Sequence, residues 1–543
     1  MSFSSRILGT LAKLPAAQTH DVSVERDLVA KMPDGIELLS DRWYPVNPGA
    51  GTIPTVLLRS PYGRRQLASF GRLFSERGYQ VVIQSVRGTF GSAGVFEPFH
   101  NEKADGSATL DWIQGQPWFN GELLTFGPSY LGLTQWAVAE TAPDTVKGMS
   151  LNVTASNVRD SIIYPGGSFA LESLLAWINS TNSQELGWGA LIKSTLKAAK
   201  VVGASALTLP LEGSDQAAIG SRHDFFQNCV GHEAPGDTWW DGLNYGKDLS
   251  AIPPTTLVGG WYDLFLHSQV ADYEALVAAG RTSRLTIGPW HHGSPGGTGE
   301  ALRDALEFFD QQVKGGPARR QPVRLFVMGS GHWAEYPQWP PAADMQQWYL
   351  GHGGMLSTQA PGDGPADRYR YDPADPTPGV GGPALLGKNA GPKDQAKRES
   401  RSDVLTYTSS VLPRDLTVVG PLTATLHLRT SLEHADFHVR LCDVSAKGKS
   451  TNISDGIVRI TPGQVTKDVD GVFTLDISMW PTANTFRAGH RVRLQVSSGA
   501  HPLFARNLGL GERLGSGKAM QAADQEVWHD PAHPSSLLLP VVQ

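Results

Sequence analysis

The sequence predicts an α/β domain that is interrupted by a helical segment and followed by an all-β domain. Short apolar runs alternate with helix-like stretches over residues 22–155 and again over 255–313, which is typical of a parallel sheet covered by helices. In the C-terminal part, apolar and polar residues alternate one by one, as in residues 422–428, 437–441 and 491–496. This alternation indicates strands with one buried and one wet face, and several such strands separated by turns predict a β-sandwich.

Within the α/β part, predicted strands and helices follow one another along the chain. The predicted strands are residues 55–59, 79–83, 123–126, 255–259 and 283–287, and the predicted helices are residues 67–76, 104–113, 269–279 and 301–313. Between residues 156 and 245 the alternation of strands and helices stops. Helical patterns occur there at 171–178 and 191–202, without a convincing strand. We therefore expect one α/β sheet with a helical insertion.

These changes of pattern set the expected domain boundaries. Residues 1–155 and 246–336 are assigned to the α/β domain, residues 156–245 to the helical insertion, and residues 337–543 to the C-terminal β-sandwich. The Gly- and Pro-rich stretch at 361–383 predicts long irregular connections near the start of the last domain.

Composition and charge argue against several classes of partner. The chain has 46 Lys and Arg residues against 52 Asp and Glu residues, and the resulting net charge of −6 gives no support to nucleic-acid binding. No run approaches the roughly 18 apolar residues of a membrane-spanning helix, and the apolar stretch near the N-terminus is too short for a secretion signal. We therefore expect a soluble, cytoplasmic protein that binds neither nucleic acid nor a membrane.

Metal and disulfide chemistry are disfavoured as well. The two cysteines, Cys229 and Cys442, are too few for a disulfide framework or a cysteine-based zinc site. The adjacent His291 and His292 lack the i, i+4 spacing with which two metal ligands share a helix face. The segment Asp468-Val-Asp470-Gly471 lacks the later ligands of a calcium loop and predicts a turn. We expect no metal and no cofactor.

The sharpest motif is Gly127-Pro-Ser129-Tyr130-Leu-Gly132, which follows a predicted strand and precedes a helix-like stretch. A serine on a tight strand-to-helix turn exposes its hydroxyl above the sheet, and flanking glycines let the backbone pass closely. The motif departs from the plain Gly-x-Ser-x-Gly form because Leu131 occupies the second position after the serine. A structural serine in a Gly-rich turn is the alternative, but the position between strand and helix favours a nucleophile.

A serine nucleophile needs a base and an acid that orients the base. Where such a turn carries the nucleophile, the chain order is Ser, then Asp or Glu, then His, each after a strand of the sheet. Asp263 follows the predicted strand 255–259, and His292 follows the predicted strand 283–287. The order Ser129, Asp263, His292 therefore fits, although spacing alone leaves a helix-capping role open for Asp263.

Further motifs extend this pattern along almost the whole chain. They are Arg59-Ser-Pro-Tyr62, Val86-Arg87-Gly88, Gly91-Ser-Ala-Gly94, Gln116-Pro-Trp118, Trp239-Trp240, Gly260-Trp261-Tyr262-Asp263, Gly288-Pro-Trp290-x-His292, Asp403-Val-Leu-x-Tyr407-Thr408-Ser409, Gly420-Pro421 and Ser454-Asp455-Gly456. In this order they resemble the cocaine-esterase and X-prolyl dipeptidyl-peptidase superfamily, which also includes the α-amino-acid ester hydrolases.

The resemblance implies a fold and a set of roles. The fold would be an α/β-hydrolase core with a helical cap over its active site and a C-terminal jelly-roll. Ser129 would be the nucleophile, His292 the general base and Asp263 the acid that orients it. The oxyanion hole would combine the Tyr62 hydroxyl with the backbone N–H of Tyr130, since directed donors can meet the oxyanion of a tetrahedral intermediate.

The resemblance also bears on residues near the proposed site. The family pattern Gly-Pro-Trp-x-His selects His292 over His291 as the base, so His291 would be a lining or packing residue. The family places Trp240 and Trp261 in segments around the acyl pocket, with aromatic core packing as the alternative for each. One departure is Ser85, which stands where the family commonly has an aspartate two positions before the arginine of the Arg-Gly loop.

The leading hypothesis is a serine hydrolase that cleaves a small-molecule ester or amide through an acyl-enzyme. An X-prolyl dipeptidyl-peptidase or an α-amino-acid ester hydrolase is the alternative, and it would need acidic residues to bind a free α-amine. Glu172, Glu185 and Asp241 are the candidates in the insertion. A third hypothesis is a carbohydrate-binding protein with an inactive hydrolase domain. The sequence leaves open which acyl and leaving groups are accepted and whether the chain forms a homo-oligomer.

Overall fold

Two large β-sheets organise the chain. The computed structural model describes residues 2–47, 53–184, 188–316, 318 and 320–542. Within these residues, a ten-stranded sheet belongs to the N-terminal domain and an eleven-stranded sheet to the C-terminal domain. The predicted fold class, an α/β domain with a helical insertion followed by an all-β domain, is confirmed.

The ten-stranded sheet is mixed and forms the centre of the N-terminal domain. Its strands are β1 (Val22–Lys31), β2 (Glu37–Pro45), β3 (Thr55–Ser60), β4 (Gln80–Ser85), β5 (Leu123–Pro128), β6 (Val146–Asn152), β7 (Thr255–Tyr262), β8 (Ser283–His291), β9 (Val323–Val327) and β10 (His332–Tyr336). Their order is β1-β2-β4-β3-β5-β6-β7-β8-β9-β10. The pairs from β4 to β9 are parallel, whereas the outer pairs that involve β1, β2 and β10 are antiparallel.

Helices cover both faces of this sheet. The α-helices of the described residues are α1 (Ser2–Leu11), α2 (Ala68–Ser75), α3 (Glu102–Gln114), α4 (Tyr130–Ala139), α5 (Leu171–Gln184), α6 (Trp188–Ser205), α7 (Ser214–Ile219), α8 (Asp224–Gly231), α9 (Leu266–Ala278), α10 (Pro295–Lys314) and α11 (Ala396–Glu399). Val56 and Leu58 pack in a cluster with side chains of α2 and α10, whereas Leu57 packs in the cluster that includes α3 and α4. Because both faces are buried, these strands are continuous apolar runs rather than alternating ones.

The helical insertion comprises α5 to α8 and lies between β6 and β7 in the chain. Its two ends meet, since Asn157 and Asn244 form an isolated antiparallel bridge and the Tyr245 N–H donates to the Ser156 carbonyl. The Asp272 carboxylate on α9 accepts from both the backbone N–H and the hydroxyl of Ser156, at 2.8 Å and 2.6 Å. The insertion is therefore anchored to the core at its base.

The eleven-stranded sheet forms the C-terminal domain. Its strands are β11 (Asp344–Gly351), β12 (Met355–Ser357), β13 (Asp367–Tyr371), β14 (Leu405–Ser409), β15 (Leu416–Thr430), β16 (Ala435–Val444), β17 (Ser450–Ile460), β18 (Phe473–Phe486), β19 (Arg491–Ser497), β20 (Ala523–Trp528) and β21 (Ser536–Val542). β12 and β14 pair in parallel, and the other pairs of named strands in this sheet are antiparallel. The predicted strands at 422–428, 437–441 and 491–496 lie in β15, β16 and β19.

The strand β16 differs from the prediction of one wet face. β15 alternates buried and half-buried residues over most of its length, but β16 is buried on both faces. The reason is Arg440, whose guanidinium donates to Asp455 on β17 and to Val380 O and Gln395 Oε1 of the preceding irregular segment. That segment covers the polar face of the strand, so alternating polar residues here mark a buried ionic cluster rather than a solvated surface.

Arg440 and Asp455 form a buried ion pair, with side chains that are 0% and 3% exposed. Burial by itself would raise the pKa of Asp455, but the positive charge of Arg440 and the neighbouring His438 outweigh it and lower the pKa to about 2. A carboxyl with a lowered pKa stabilises the folded state above its unfolded pKa, near 4, and loses that contribution as the pH falls through the folded value.

We expect Asp455→Asn to lower the free energy of unfolding by about 3–5 kcal/mol, because it leaves the buried Arg440 without its charge partner. Urea denaturation followed by circular dichroism measures this loss, which should shrink between about pH 4 and pH 2. The control Asp524→Asn breaks the exposed pair with Arg370 and should leave the unfolding transition nearly unchanged. Equal destabilisation by both variants would contradict the structural role of the pair.

Candidate active site

Ser129 lies on the turn between β5 and α4, with a backbone φ of 59° and ψ of −123°. A positive φ is uncommon for a residue with a side chain and persists only where the surroundings enforce it. Two backbone hydrogen bonds hold the turn. The Ser129 N–H donates to the Asn152 carbonyl at 2.9 Å, and the Gly132 N–H donates to the Ser129 carbonyl at 2.8 Å. The serine side chain therefore stands beyond the carboxyl end of β5, in a fixed direction.

Two glycines make room for this turn. A Cβ at Gly127 would lie 2.2 Å from Leu131 Cβ, and a Cβ at Gly132 would lie 2.4 Å from Thr154 Cγ2. Leu131 itself is buried in the apolar cluster behind the sheet. The second glycine of the motif comes one position later than in Gly-x-Ser-x-Gly because residue 132 is the one that packs against Thr154.

Ser129, His292 and Asp263 form a continuous series of hydrogen bonds. The Ser129 Oγ lies 3.1 Å from His292 Nε2, and His292 Nδ1 lies 2.9 Å from Asp263 Oδ2. Asp263 directly follows β7 and His292 directly follows β8, so both lie at the carboxyl ends of neighbouring parallel strands. Asp263 is fully buried, and its second oxygen accepts the Phe265 N–H at 2.9 Å.

The acceptor character of Asp263 fixes the direction of these bonds. An ionised carboxylate only accepts hydrogen bonds, so His292 Nδ1 carries the proton and donates it to Asp263. In the neutral ring Nε2 is then an acceptor, which receives the Ser129 O–H. A serine hydroxyl bonded in this way to an oriented imidazole can be activated as a nucleophile.

Tyr62 lies two residues beyond the end of β3 and lines both cavities that adjoin Ser129. Its hydroxyl oxygen accepts the indole N–H of Trp177 at 3.2 Å. Burial raises the pKa of Tyr62 to about 12, although hydrogen bonding with the Trp177 and Ser129 side chains acts to lower it. The phenol is therefore neutral near pH 7 and can donate its own O–H.

Tyr130 is the first residue of α4, where backbone N–H groups have no acceptor inside the helix. The Tyr130 side chain is buried and anchors the start of α4. The phenol donates to Glu102 Oε1 at 2.7 Å and accepts the Phe99 N–H at 3.0 Å. Glu102 is in turn paired with Arg59 at 2.9 Å, and both side chains are almost fully buried. This network holds the start of the helix next to Ser129.

Two cavities meet at Ser129. The larger has a volume of about 880 Å³ and reaches the surface, since the exposed Lys200 and Lys388 line it. The smaller has a volume of about 50 Å³ and is mostly apolar, with Leu133, Ile163, Leu174, Phe225 and Phe265 among its lining residues. The residues that line both cavities are Tyr62, Ser129, Trp177, His292 and Leu385.

No aspartate or glutamate occurs among the described residues that line these two cavities. Glu172 was one candidate for binding an α-amine, but its buried carboxylate accepts the backbone N–H groups of Leu385 at 3.1 Å and Leu386 at 3.0 Å. Asp241 is exposed and lies outside both linings, and Glu185 lies outside the described residues. Glu172 instead fixes a loop of the C-terminal domain against the site.

The three predicted pocket residues lie in different surroundings. His291 lines the larger cavity, and its Nδ1 lies 2.9 Å from the His292 carbonyl oxygen. The structure does not bring Trp240 and Trp261 to either cavity. Both indoles are buried, and their N–H groups donate to the carbonyls of His232 and Phe326 at 2.7 Å. Core packing, the alternative for these tryptophans, describes their positions.

The segment around Ser85 is held through Arg64. Ser85 accepts one N–H of Arg64 at 2.9 Å, and the buried carboxylate of Asp41 accepts another at 3.0 Å. Asp41 lies on β2, next to β4, so the neighbouring strand supplies the negative charge that residue 85 lacks. Because Arg64 is two residues from Tyr62, these bonds also fix the turn that carries the Tyr62 phenol.

Sequence patterns did not single out Trp177, Leu385 or Leu386 as site residues. Trp177 falls within the predicted helical pattern 171–178, where an apolar residue is indistinguishable from core. Leu385 and Leu386 lie in an irregular segment far along the chain, and only the tertiary fold brings them to Ser129. A glutamate and a tryptophan within one predicted helical pattern, Glu172 and Trp177, were the available signal, but it is not specific.

The described part of the chain contains no group of three or more His, Cys, Asp or Glu side chains that could hold a metal ion. No helix in this part is long and apolar enough to cross a membrane. The Asp468 carboxylate accepts the N–H groups of Asp470 and Val472 at 2.9 Å, as in the predicted turn.

Comparison with known proteins assigns the family. The model of the X-Pro dipeptidyl-peptidase (S15) family matches residues 34–294, and that of the X-Pro dipeptidyl-peptidase C-terminal non-catalytic domain matches residues 316–538. A cocaine esterase from Rhodococcus sp. (strain MB1 Bresler) is 32% identical over 96% of this chain and 99% of its own. The chain belongs to the S15 family. The resemblance inferred from the motifs is confirmed, and the protein is a serine hydrolase of an esterase and peptidase family.

Solved structures share the fold along nearly the whole chain. An aminopeptidase from a marine-sediment Thaumarchaeota archaeon is 24% identical, with a TM-score of 0.81 over 97% of this chain and 98% of that one. An α-amino-acid ester hydrolase is also 24% identical, with a TM-score of 0.79 over the same shares of the two chains. At this level of identity the likeness concerns the fold alone.

Proposed function

We propose that this protein is a serine esterase that cleaves small esters of neutral, apolar acyl groups through an acyl-enzyme on Ser129. The observation that carries the proposal is the hydrogen-bonded series from Ser129 through His292 to the buried Asp263, with distances of 3.1 Å and 2.9 Å. Membership of a serine hydrolase family supports the same chemistry.

In the proposed acylation, Ser129 Oγ attacks the ester carbonyl carbon while His292 Nε2 takes the serine proton. Asp263 stabilises the imidazolium that forms. The Tyr62 O–H and the Tyr130 backbone N–H would donate to the oxyanion of the tetrahedral intermediate. His292 then gives its proton to the departing alkoxide as the C–O bond breaks. In deacylation, His292 takes a proton from the water molecule that attacks the acyl carbon, and returns it to Ser129 Oγ as the acyl C–O bond breaks and the acid product is released.

The two cavities suggest how an ester is divided across the site. The acyl group remains bound until deacylation, and the small apolar cavity beside Ser129 fits that part. The leaving alcohol must depart between the two half-reactions, and the larger cavity leads to the surface. Leu385 lines both cavities, so the loop that Glu172 holds would contribute to the boundary between the two parts of the substrate.

The charge of the lining favours a neutral acyl group over an aminoacyl group. A free α-ammonium group desolvated in a pocket needs a carboxylate or several acceptors. No carboxylate occurs among the described residues that line the two cavities. The larger cavity is instead lined by Lys200 and Lys388, whose positive charges would repel a cation. The charge of the lining therefore favours an esterase over a dipeptidyl-peptidase or an α-amino-acid ester hydrolase.

The two adjacent histidines provide the sharpest test of the proposed base. We expect His292→Ala to lower kcat on a p-nitrophenyl ester by on the order of 10⁴, as removal of the base does in serine hydrolases. His291→Ala is the matched control and should cost about tenfold at most, because His291 lines the cavity while its Nδ1 bonds the His292 carbonyl and Ser129 bonds His292. The opposite ranking of the two variants would make His291 the base.

A substrate panel tests the proposed acyl preference. The panel contains p-nitrophenyl acetate, butyrate and benzoate, a phenylglycine ester with a free amine, and Gly-Pro p-nitroanilide. We expect the highest kcat/KM among the neutral esters, because no described carboxylate lines the acyl side. Turnover of the free-amine ester or of Gly-Pro anilide well above that of every neutral ester would overturn the acyl preference without removing Ser129 as nucleophile.

A further inference from the structure

One contact joins the helical insertion to the proposed oxyanion hole. Trp177 lies on α5, and its indole Nε1–H donates to the Tyr62 hydroxyl oxygen at 3.2 Å. An indole N–H is a donor only, whereas a phenol oxygen has one hydrogen to donate and two lone pairs that accept. The direction of this bond is therefore fixed, and Tyr62 is the acceptor.

That direction has a consequence for the phenol hydrogen. With the Trp177 N–H on one side of the Tyr62 oxygen, the O–H cannot point toward Trp177 and must turn to the other side. The Ser129 side chain is the other hydrogen-bond partner that lowers the pKa of Tyr62, and Tyr62 and Ser129 line the same two cavities. We propose that Trp177 is a positioning residue that aims the Tyr62 O–H at the oxyanion, so that the oxyanion hole is complete only when the insertion is docked.

This inference rests on the proposed function, in which Tyr62 donates to the oxyanion. It adds that a residue of the helical insertion, outside the α/β domain, orients the Tyr62 hydroxyl. Trp177 does not touch the reacting atoms through its N–H and acts through Tyr62. A hydrogen bond accepted by a hydroxyl also polarises that hydroxyl and makes it a stronger donor. The hydrogen bond from Trp177 accordingly lowers the pKa of Tyr62, although burial has the larger effect and raises it.

Packing holds the indole in the orientation that this role requires. The Trp177 ring is nearly parallel to the Tyr130 ring, at 4° and a centroid distance of 6.5 Å, and it stacks on Phe99 at 6.3 Å. Phe225 on α8 meets its face edge-on at 5.8 Å. Tyr130 supplies the other proposed oxyanion donor through its backbone. Trp177 therefore contacts the Tyr62 hydroxyl and the aromatic ring of Tyr130, the two residues that would supply the oxyanion donors.

A purely lining role for Trp177 makes different predictions. As a wall of the small cavity, the indole would affect KM, and its effect would grow with the size of the acyl group. As a positioning residue, it would affect the acylation rate constant for small and large acyl groups alike. Its effect would also vanish when the Tyr62 hydroxyl is absent, because there would be nothing left to aim.

The experiment is a double-mutant cycle of Trp177→Phe and Tyr62→Phe, with acylation rates measured on p-nitrophenyl acetate and benzoate. We expect Tyr62→Phe to lower the rate by about 10²–10³, as loss of one oxyanion donor does. Trp177→Phe should lower it roughly tenfold for both esters, in line with one net hydrogen bond, and should add almost nothing in the Tyr62→Phe background. Trp240→Phe removes another buried indole N–H of the insertion, away from both cavities, and should leave the rate unchanged.

A second replacement separates the N–H from the shape of the ring. Benzothienylalanine at position 177 substitutes sulfur for the indole N–H, keeps the packing, and should reproduce the loss seen with Trp177→Phe. Any of three results would overturn the inference. Trp177→Phe could lower the acylation rate by the same factor with and without the Tyr62 hydroxyl, or lower it for the benzoate alone. The third result is an unchanged rate with benzothienylalanine. A Tyr62→Phe variant with a normal rate would instead remove Tyr62 from the proposed oxyanion hole, and with it the basis for any positioning of its hydroxyl.

Discussion

The backbone turn at Ser129 is the constraint on which the rest of the site depends. A residue with a side chain adopts a φ of 59° there because β5 enters the turn and α4 leaves it in directions fixed by the sheet. Gly127 and Gly132 are required because any Cβ at either position would collide with Leu131 or Thr154. The same turn starts α4, so one piece of backbone orients the serine hydroxyl and presents the Tyr130 N–H beside it.

Three parts of the chain that are distant in sequence converge on this turn. The parallel strands β7 and β8 end at Asp263 and His292, and their register sets the distance to Ser129. The insertion contributes Trp177 on α5, and the C-terminal domain contributes the loop at Leu385. Glu172, also on α5, binds that loop through two backbone N–H groups. The insertion and the C-terminal domain therefore form one wall of the site, and the core domain forms the other.

Much of this could be predicted from local patterns because the physics behind it is local. The buried strands, the turn at Ser129 and the order of Ser129, Asp263 and His292 each leave a motif within a few residues. The buried polar face of β16 could not be predicted in this way, since the alternation of apolar and polar residues is the same whether water or the segment around Val380 covers the strand. Trp177, Trp240 and Trp261 show the same limit, because a tryptophan in an apolar pattern packs in the core or lines a cavity according to contacts made far along the chain.

The most direct test of the account is a crystal structure of the protein after reaction with an aryl fluorophosphonate, which mimics the tetrahedral intermediate of ester cleavage. The account predicts that phosphorus is bonded to Ser129 Oγ and that the phosphonyl oxygen accepts hydrogen bonds of about 2.7–3.1 Å from the Tyr62 hydroxyl and the Tyr130 N–H. An adduct on another residue, or a phosphonyl oxygen turned away from both donors, would contradict it.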